Sequence, residues 1–208
     1  MTNTPRFLSL LLAAFSLALA ARAELAPSPA AAKPLPVGAA VPSALVTTLD
    51  GTELDLAQVV AGKPTLLVFY RGSWCPYCNK HLAALQEIEA ELLALGYQIL
   101  AISPDGAAGL QTTADKNHLN YRLLSDQAMK ASAAFGLAFR IDPVMVEKYK
   151  GYGITLPLVP GESDIRWLPV PAAYLIGRDG QVKFVYTNAD YKTRITAADL
   201  LAAAKAAL

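Results

Sequence analysis

An uninterrupted apolar segment followed at once by a long amphipathic helix constrains the fold of this chain most. Residues 65–70 read Thr-Leu-Leu-Val-Phe-Tyr, which predicts a strand buried on both faces, as in the centre of a parallel sheet. Between residues 76 and 95 apolar side chains recur every three or four positions, and Gly96 follows, which predicts one helix. A buried strand joined to such a helix is the building unit of an α/β protein.

The rest of the domain continues this alternation. Residues 45–49 and 52–54 flank Asp50-Gly51 and predict a β-hairpin, after which Asp55 caps a short helix. Further strands are expected at 97–103, 121–124, 172–177 and 181–187, and further helices at 106–117, 126–136 and 197–208. The order predicts an α/β fold in which helices flank a central mixed sheet extended by an N-terminal β-hairpin.

The first 23 residues have the pattern of a secretory signal peptide. Arg6 precedes an uncharged apolar stretch, and Ala21-Arg22-Ala23 offers a small-x-small cleavage site. The apolar stretch is shorter than the roughly 20 residues that cross a bilayer; an uncleaved anchor is the alternative. We therefore predict a periplasmic or secreted protein without stable membrane insertion after cleavage, in a compartment where disulfides persist.

The chain after the leader divides into a lead-in and one domain. Residues 24–43 are rich in Ala and Pro and are expected to be weakly ordered, whereas residues 44–208 form the domain. Residues 137–168 interrupt the strand–helix alternation, and we expect either a functional loop or lid or a surface insertion without function. Hydrophobic residues make up 54% and charged residues 17%, which excludes disorder. The sequence contains no basic stripe, so it does not predict a nucleic-acid partner.

Both cysteines of the chain lie in the tetrapeptide Cys75-Pro76-Tyr77-Cys78. A structural disulfide over so short a loop would stabilise the fold weakly. A c-type haem site needs His at residue 79, which is Asn. A zinc site would have to recruit both histidines, His81 and His118, which we instead expect to be surface residues. A redox pair explains the tetrapeptide best.

The position of the tetrapeptide at a helix start favours that redox chemistry. Unpaired N–H groups and the positive end of the helix dipole stabilise a thiolate there, so the pKa of Cys75 should fall below about 8.5. Pro76 suits the first helical position. Cys78 lies three residues on, on the same face and less exposed, within reach of a disulfide. Cys75 is then expected to attack a sulfur or a peroxide oxygen, and Cys78 to resolve the product.

Several short segments resemble one known family. Trp74 to Cys78 after a buried strand, and Val170-Pro171 before a strand–turn–strand unit, resemble the thioredoxin fold. Four segments resemble its peroxiredoxin-like (AhpC/TSA, redoxin) branch: residues 69–75, 102–105, 124–126 and 134–136. The resemblance covers residues 38–208.

The resemblance implies a thioredoxin-like fold with a long insert before the strand that follows Pro171. It implies that Cys75 is the attacking thiolate, that Cys78 is its partner, and that Pro171 is cis and packs beside the sulfurs. Backbone next to Pro171, at Val170, would then pair with an incoming chain. Trp74, Tyr77 and Arg71 would complete this partner-facing surface. The implied partners are a protein dithiol or disulfide and a hydroperoxide, with no cofactor and no metal.

The sequence departs from the family pattern at three positions. Peroxiredoxins carry Pro and Thr or Ser seven and three residues before the reactive Cys, where this chain has Val68 and Gly72. Pro171 stands near the place of the family's peroxide-polarising Arg, for which Arg71 would substitute unless it is a salt-bridged surface residue. The Cys-Pro-Tyr-Cys motif itself is glutaredoxin-like. Two alternatives to a peroxidase therefore stay open, a thiol–disulfide exchange protein and a non-catalytic binding module.

Overall fold

The computed structural model describes residues 25–208, so the predicted signal peptide lies outside the described residues. The strands are β1 (Leu45–Thr47), β2 (Glu53–Asp55), β3 (Thr65–Phe69), β4 (Gln98–Ser103), β5 (Arg122–Ser125), β6 (Ala138–Arg140), β7 (Trp167–Pro169), β8 (Ala172–Ile176) and β9 (Val182–Thr187). The helices are α1 (Leu56–Val60), α2 (Pro76–Glu87), α3 (Glu89–Ala94), α4 (Ala107–Asn117), α5 (Lys130–Ala134), α6 (Pro143–Gly151) and α7 (Ala197–Ala206).

Seven of these strands form one mixed sheet in the order β2-β1-β5-β4-β3-β8-β9. β3, β4 and β5 are parallel and are joined by helices, whereas β8 runs antiparallel to β3. The predicted hairpin of β1 and β2 extends the sheet because β1 pairs with β5. The mixed central sheet with its N-terminal extension is therefore confirmed, and β3 is an interior strand between β4 and β8.

The sheet separates two apolar cores, one on each of its faces. Every residue of β3 is buried, as its continuous apolar sequence predicted. Leu67 and Phe69 face the core that contains α1, α5 and α6. Leu66 and Val68 face the core that contains both cysteines together with α2, α3, α4 and α7. The alternation follows from the period of two along a strand.

The helix predicted over residues 76–95 is divided in two. Ile88 has φ −103° and ψ 5°, outside the helical range, and its N–H bonds to the carbonyl of Leu85. Both halves still bury their predicted apolar positions, Leu82, Leu85 and Leu92. The cap predicted at Asp55 holds, since its side chain accepts from two N–H groups of α1. Thr196 caps α7 in a similar way by accepting from the N–H of Asp199.

The Ala/Pro-rich lead-in is packed on the domain, contrary to the expectation of weak order. The N–H groups of Lys33 and Leu35 donate to the carbonyls of Gly136 and Phe135. A Cβ at Gly136 would lie 1.9 Å from the carbonyl oxygen of Lys33, so only glycine allows this approach. A short 3₁₀ helix, Pro29–Ala31, precedes this contact.

The segment 137–168 has secondary structure of its own. β6 pairs with β7, which directly precedes Pro171, and α6 lies between them in sequence. Two aliphatic residues of this segment, Val146 and Leu156, enter the core on the face opposite the cysteines. The segment is therefore a structured part of the domain. None of the helices in residues 25–208 has the length and apolar character needed to cross a membrane.

Candidate active site

The two cysteines lie at the N-terminus of α2, shortly after the end of β3. Cys75 is the N-cap residue, and its sulfur accepts a hydrogen bond from the N–H of Cys78 at 3.4 Å. The thiol of Cys78 donates to the same sulfur, with the two Sγ atoms 2.6 Å apart. Pro76 occupies the first helical position, where no N–H is needed. The structure thus brings both sulfurs together at a helix start.

Hydrogen bonding gives the two cysteines opposite acidities. The hydrogen bond from the Cys78 thiol lowers the pKa of Cys75 to about 6 against an opposing effect of burial, helped by the N–H of Cys78 and the charges of Arg71 and Arg194. Burial raises the pKa of Cys78, and its bond to the Cys75 sulfur raises it further. Near neutral pH the pair is therefore a thiolate at Cys75 and a thiol at Cys78.

Exposure does not distinguish the two sulfurs. Cys75 is 0% and Cys78 1% exposed, so both are sealed from solvent and the expected difference in exposure is too small to separate them. Both belong to the apolar core under α2. The nucleophile is distinguished by its hydrogen bonds and nearby charges.

A polar network fixes the loop that carries Cys75. The Ser73 N–H donates to the Asp105 carboxylate at 2.6 Å, and the Asn79 amide donates to the Ser73 carbonyl at 2.8 Å. Burial raises the pKa of Asp105, although its hydrogen bonds oppose that rise. Gly72 has φ +145°, and a Cβ there would lie 2.6 Å from Trp74 Nε1. The position that holds Thr or Ser in peroxiredoxins therefore requires glycine in this fold.

Arg71 is buried, so the expectation of a salt-bridged surface residue is wrong. Its side chain is 4% exposed, and the guanidinium donates to the hydroxyl of Tyr149. Its central carbon lies 3.9 Å from the ring centre of Tyr191, 4.9 Å from that of Trp74 and 5.6 Å from that of Tyr149. Such cation–π contacts hold a charged group where water is excluded. Tyr149 comes from α6, so the 137–168 segment contributes to the site.

Of the residues predicted to face a partner, the aromatic pair fits best. Tyr77 is 40% exposed, and its ring meets the edge of Tyr191 with 5.7 Å between centroids. Trp74 is partly exposed and packs against Tyr149 with 5.3 Å between centroids. Trp74 also packs against the apolar core that contains both cysteines.

The expectations at Val170 and Pro171 need correction. Val170 is buried, and its N–H donates to the carbonyl of Leu137 at 2.8 Å. The insert thus already pairs with the backbone that was expected to receive an incoming chain. Residues 25–208 contain no cis peptide bond, so the expected cis bond before Pro171 is absent. Pro171 itself is buried and precedes Ala172, which pairs with Phe69 of β3.

Two small cavities share Pro171 as a wall. The larger, of about 30 Å³, is also lined by Arg71, Tyr191 and Val170. The smaller, of about 10 Å³, is also lined by His81 and Arg194. Neither sulfur lines either cavity. A substrate reaches Cys75 only when the side chains above it move.

The sequence did not identify two polar residues of the site. Arg194, in the segment between β9 and α7, donates to the Cys78 sulfur at 3.5 Å. His81 was expected on the surface, yet its Nε2 is buried without a hydrogen-bond partner among residues 25–208, and burial lowers its pKa to about 4. The spacing of His81 from Cys78, three residues along one helix, carried the one available signal. His118 is exposed, as expected.

No group of three or more His, Cys, Asp or Glu side chains within residues 25–208 is arranged to hold a metal ion. The charged side chains that act on the sulfurs are instead two arginines, Arg71 and Arg194. Guanidinium groups stabilise anions such as thiolates. This arrangement suits sulfur chemistry.

Comparisons with known proteins agree with this geometry. Residues 37–185 match the model of the AhpC/TSA family. Over 175 residues the chain is 26% identical to "Peroxiredoxin Q, chloroplastic" of Triticum aestivum, which covers 84% of this chain and 70% of that protein. Over 104 residues it is 32% identical to "Putative peroxiredoxin bcp" of Haemophilus influenzae, covering 50% and 66%.

A solved structure of Peroxiredoxin Q from Xanthomonas campestris superimposes with a TM-score of 0.62. The match covers 83% of this chain and 96% of the other at 21% identity, so it shows a shared thioredoxin-type fold. The expected fold class is confirmed. The matched part of this chain spans about two thirds of the two curated relatives' own length.

Proposed function

The chain belongs to the AhpC/TSA family, and from this membership and the paired sulfurs we propose that it is a thiol-dependent peroxidase. The observation that carries the proposal is the 2.6 Å approach of Cys75 and Cys78 at a helix N-terminus, with the pKa of Cys75 lowered. The names of its relatives, peroxiredoxins of the Q and bcp types, support it.

The reaction begins with the Cys75 thiolate. Its sulfur attacks one oxygen of a hydroperoxide, so an S–O bond forms and the O–O bond breaks. The leaving alkoxide or hydroxide takes a proton and departs as alcohol or water, and Cys75 becomes a sulfenic acid. Arg71 is the charged residue that lines the larger cavity. The cavity volume of about 30 Å³ has room for about two water-sized groups, which is the size of hydrogen peroxide. We assign Arg71 to stabilise the developing charge.

The second step closes an internal disulfide. Cys78 attacks the sulfenic sulfur, the S–S bond forms, and the hydroxyl leaves as water. An external dithiol then reduces the disulfide through a mixed-disulfide intermediate. Pro171 shapes both cavities without offering an N–H or a charge, and Trp74 and Tyr77 form the surface that the dithiol protein meets.

The test is peroxide consumption by the reduced protein with a dithiol donor. We expect a rate well above that of the free dithiol and complete dependence on Cys75. A rate no faster than free thiols would exclude the peroxidase.

A thiol–disulfide exchange protein is the second candidate. Two observations favour it: Gly72 replaces the family's Thr or Ser, and Pro171 replaces its Arg. Under this alternative the protein would reduce a disulfide such as that of insulin rapidly while peroxide consumption stayed at background.

We further propose that residues 1–23 are removed on export, which would place the enzyme in the periplasm or outside the cell. The apolar stretch and the Ala21-Arg22-Ala23 site support this. The mass of the protein purified from the periplasmic fraction tests it. An N-terminus at Glu24 is expected, and an intact Met1 would contradict it.

A further inference from the structure

Arg194 reaches the sulfur that the first chemical step does not use. Its Nη2 lies 3.5 Å from Cys78 Sγ, and its Nη1 is buried without a hydrogen-bond partner within the described residues. A guanidinium is always charged, and a buried donor left unpaired costs free energy. Because Nη2 already points at Cys78 Sγ, a negative charge on that sulfur would turn this contact into a charge-assisted hydrogen bond.

The surroundings of Arg194 keep it available to that sulfur. Arg194 and His81 line the same cavity of about 10 Å³, which is barely large enough for one water molecule. No carboxylate lies within salt-bridge distance of Arg194 in residues 25–208. His81 is neutral near pH 7 because burial lowers its pKa, so it adds no second positive charge. The cavity therefore holds one cation and no anion.

We propose that Arg194 is a catalytic residue for resolution, binding Cys78 as a thiolate both when it attacks and when it leaves. The inference deepens the proposed function and rests on it for the order of the steps. Arg71 serves the oxygen chemistry at Cys75, and Arg194 serves the sulfur chemistry at Cys78.

The step balances in both directions. During resolution the Cys78 proton leaves with the hydroxyl of the Cys75 sulfenic acid as water, and the Cys78 electron pair forms the S–S bond. During reduction an external thiolate attacks Cys75 Sγ, and the S–S electron pair departs on Cys78. Cys78 Sγ therefore carries negative charge just before it attacks and again as it leaves, and Arg194 Nη2 lies 3.5 Å from that sulfur.

Other ionisable groups near Cys78 act against a thiolate. Cys75, on the same helix, repels it when deprotonated. Tyr70, which follows β3, stays protonated because burial raises its pKa, and the negative charge of Asp105 raises that pKa further. Arg194 is thus the principal group that favours a charged Cys78.

The first experiment needs no peroxide and so tests Arg194 even if the proposed function is wrong. In the Cys75→Ser variant Cys78 is the sole cysteine, and its alkylation by iodoacetamide at pH 8 reports its thiolate fraction. We expect Arg194→Gln in this background to slow alkylation about tenfold, the lower range for losing a hydrogen bond to a charged group. An unchanged or faster rate would overturn the proposal.

Two further variants separate charge from packing. Arg194→Lys keeps the charge and should restore most of the lost rate. Lys192→Gln removes a positive charge from an exposed position of the same segment and should leave the rate unchanged. If Lys192→Gln slowed alkylation as much as Arg194→Gln, the effect would be one of net charge, and the specific role would be refuted.

The second experiment follows one turnover with hydrogen peroxide in the otherwise native protein. Arg194→Gln should slow disulfide closure about tenfold, so that dimedone traps a sulfenic acid at Cys75, while sulfenic acid formation changes less than about threefold. Equal slowing of both steps would refute a role specific to Cys78. A wild-type protein that forms no sulfenic acid would refute the proposed peroxidase and leave the alkylation result standing.

Discussion

Arg71 and Arg194 both act on the cysteine pair, but their surroundings differ. Arg71 is enclosed by three aromatic rings and donates to the hydroxyl of Tyr149. Arg194 is partly exposed, touches the sulfur of Cys78, and keeps a buried donor unpaired. The first guanidinium already has a hydroxyl and three rings as partners, whereas the second gains a charge-assisted hydrogen bond only when a thiolate forms at Cys78.

The difference shows how two nearly adjacent thiols can be given different tasks. A fixed charge next to Cys75 favours a permanent thiolate, and a charge with an unpaired donor next to Cys78 favours one that appears during the reaction. Arg194 also helps to lower the pKa of Cys75, but the hydrogen bond from Cys78 is the larger cause, so each arginine should act mainly on one sulfur. The following four predictions test that separation.

The largest effect is expected at the nucleophile. Cys75→Ser should lower peroxide consumption at least about a thousandfold, because a serine hydroxyl is not ionised near neutral pH. Cys78→Ser should still form a sulfenic acid but stop after one turnover. Steady-state consumption and dimedone trapping measure the two outcomes. If Cys75→Ser kept multiple turnovers, the assignment of the nucleophile would be wrong.

A smaller effect, about a hundredfold, is expected from Arg71→Gln in the step that forms the sulfenic acid. The substitution removes the enclosed positive charge near Cys75, while Cys78 keeps Arg194. The rate of sulfenic acid formation at pH 8 is the measurement. Arg178→Gln is the matched control, at an exposed arginine whose side chain bonds to the Gly62 carbonyl at 3.4 Å, and it should leave that rate unchanged. Loss of disulfide closure alone would contradict the division of labour.

The pH profile tests the hydrogen bond between the sulfurs. Sulfenic acid formation should rise with pH through a midpoint near pH 6 and level off about one pH unit higher, because the pKa of Cys75 is lowered to about 6. Cys78→Ala removes the principal donor and should raise that pKa, which shifts the profile to higher pH. At pH 5 the rate should then fall about tenfold for each unit of pKa change, while at pH 8.5 it changes little. Cys78→Ser keeps a donor and should shift the profile less; identical profiles for the two variants would contradict this origin.

The smallest effect is expected at Tyr149, the residue that the insert contributes. Tyr149→Phe removes the hydroxyl that accepts from Arg71 and keeps the ring, so sulfenic acid formation should slow about fivefold. Tyr152→Phe, at a 67% exposed tyrosine at the end of the same helix, should have no effect. Equal slowing by both variants would mean that the insert acts through its stability.

Much of the fold could be predicted because it depends on local patterns. Each of these patterns involves residues that are close in sequence. They are the apolar run of β3, the three- and four-residue spacing of apolar side chains in α2 and α3, and the caps at Asp55 and Thr196. The break at Ile88 could not be predicted, since no glycine or proline marks it. The order of the lead-in was missed because its bonds to Phe135 and Gly136 join residues about a hundred positions apart.

The candidate site divides in the same way. The sequence by itself determined the cysteine pair, because a tetrapeptide at a helix start fixes the spacing of its sulfurs and exposes them to the N–H groups of α2. Only the tertiary structure decided which charges and rings surround them. Arg194, Tyr149 and Tyr191 arrive from segments with no periodic pattern, and the same packing buried Val170 and Arg71. Long-range packing leaves no signature in local spacing, so these neighbours become visible only when the chain is folded.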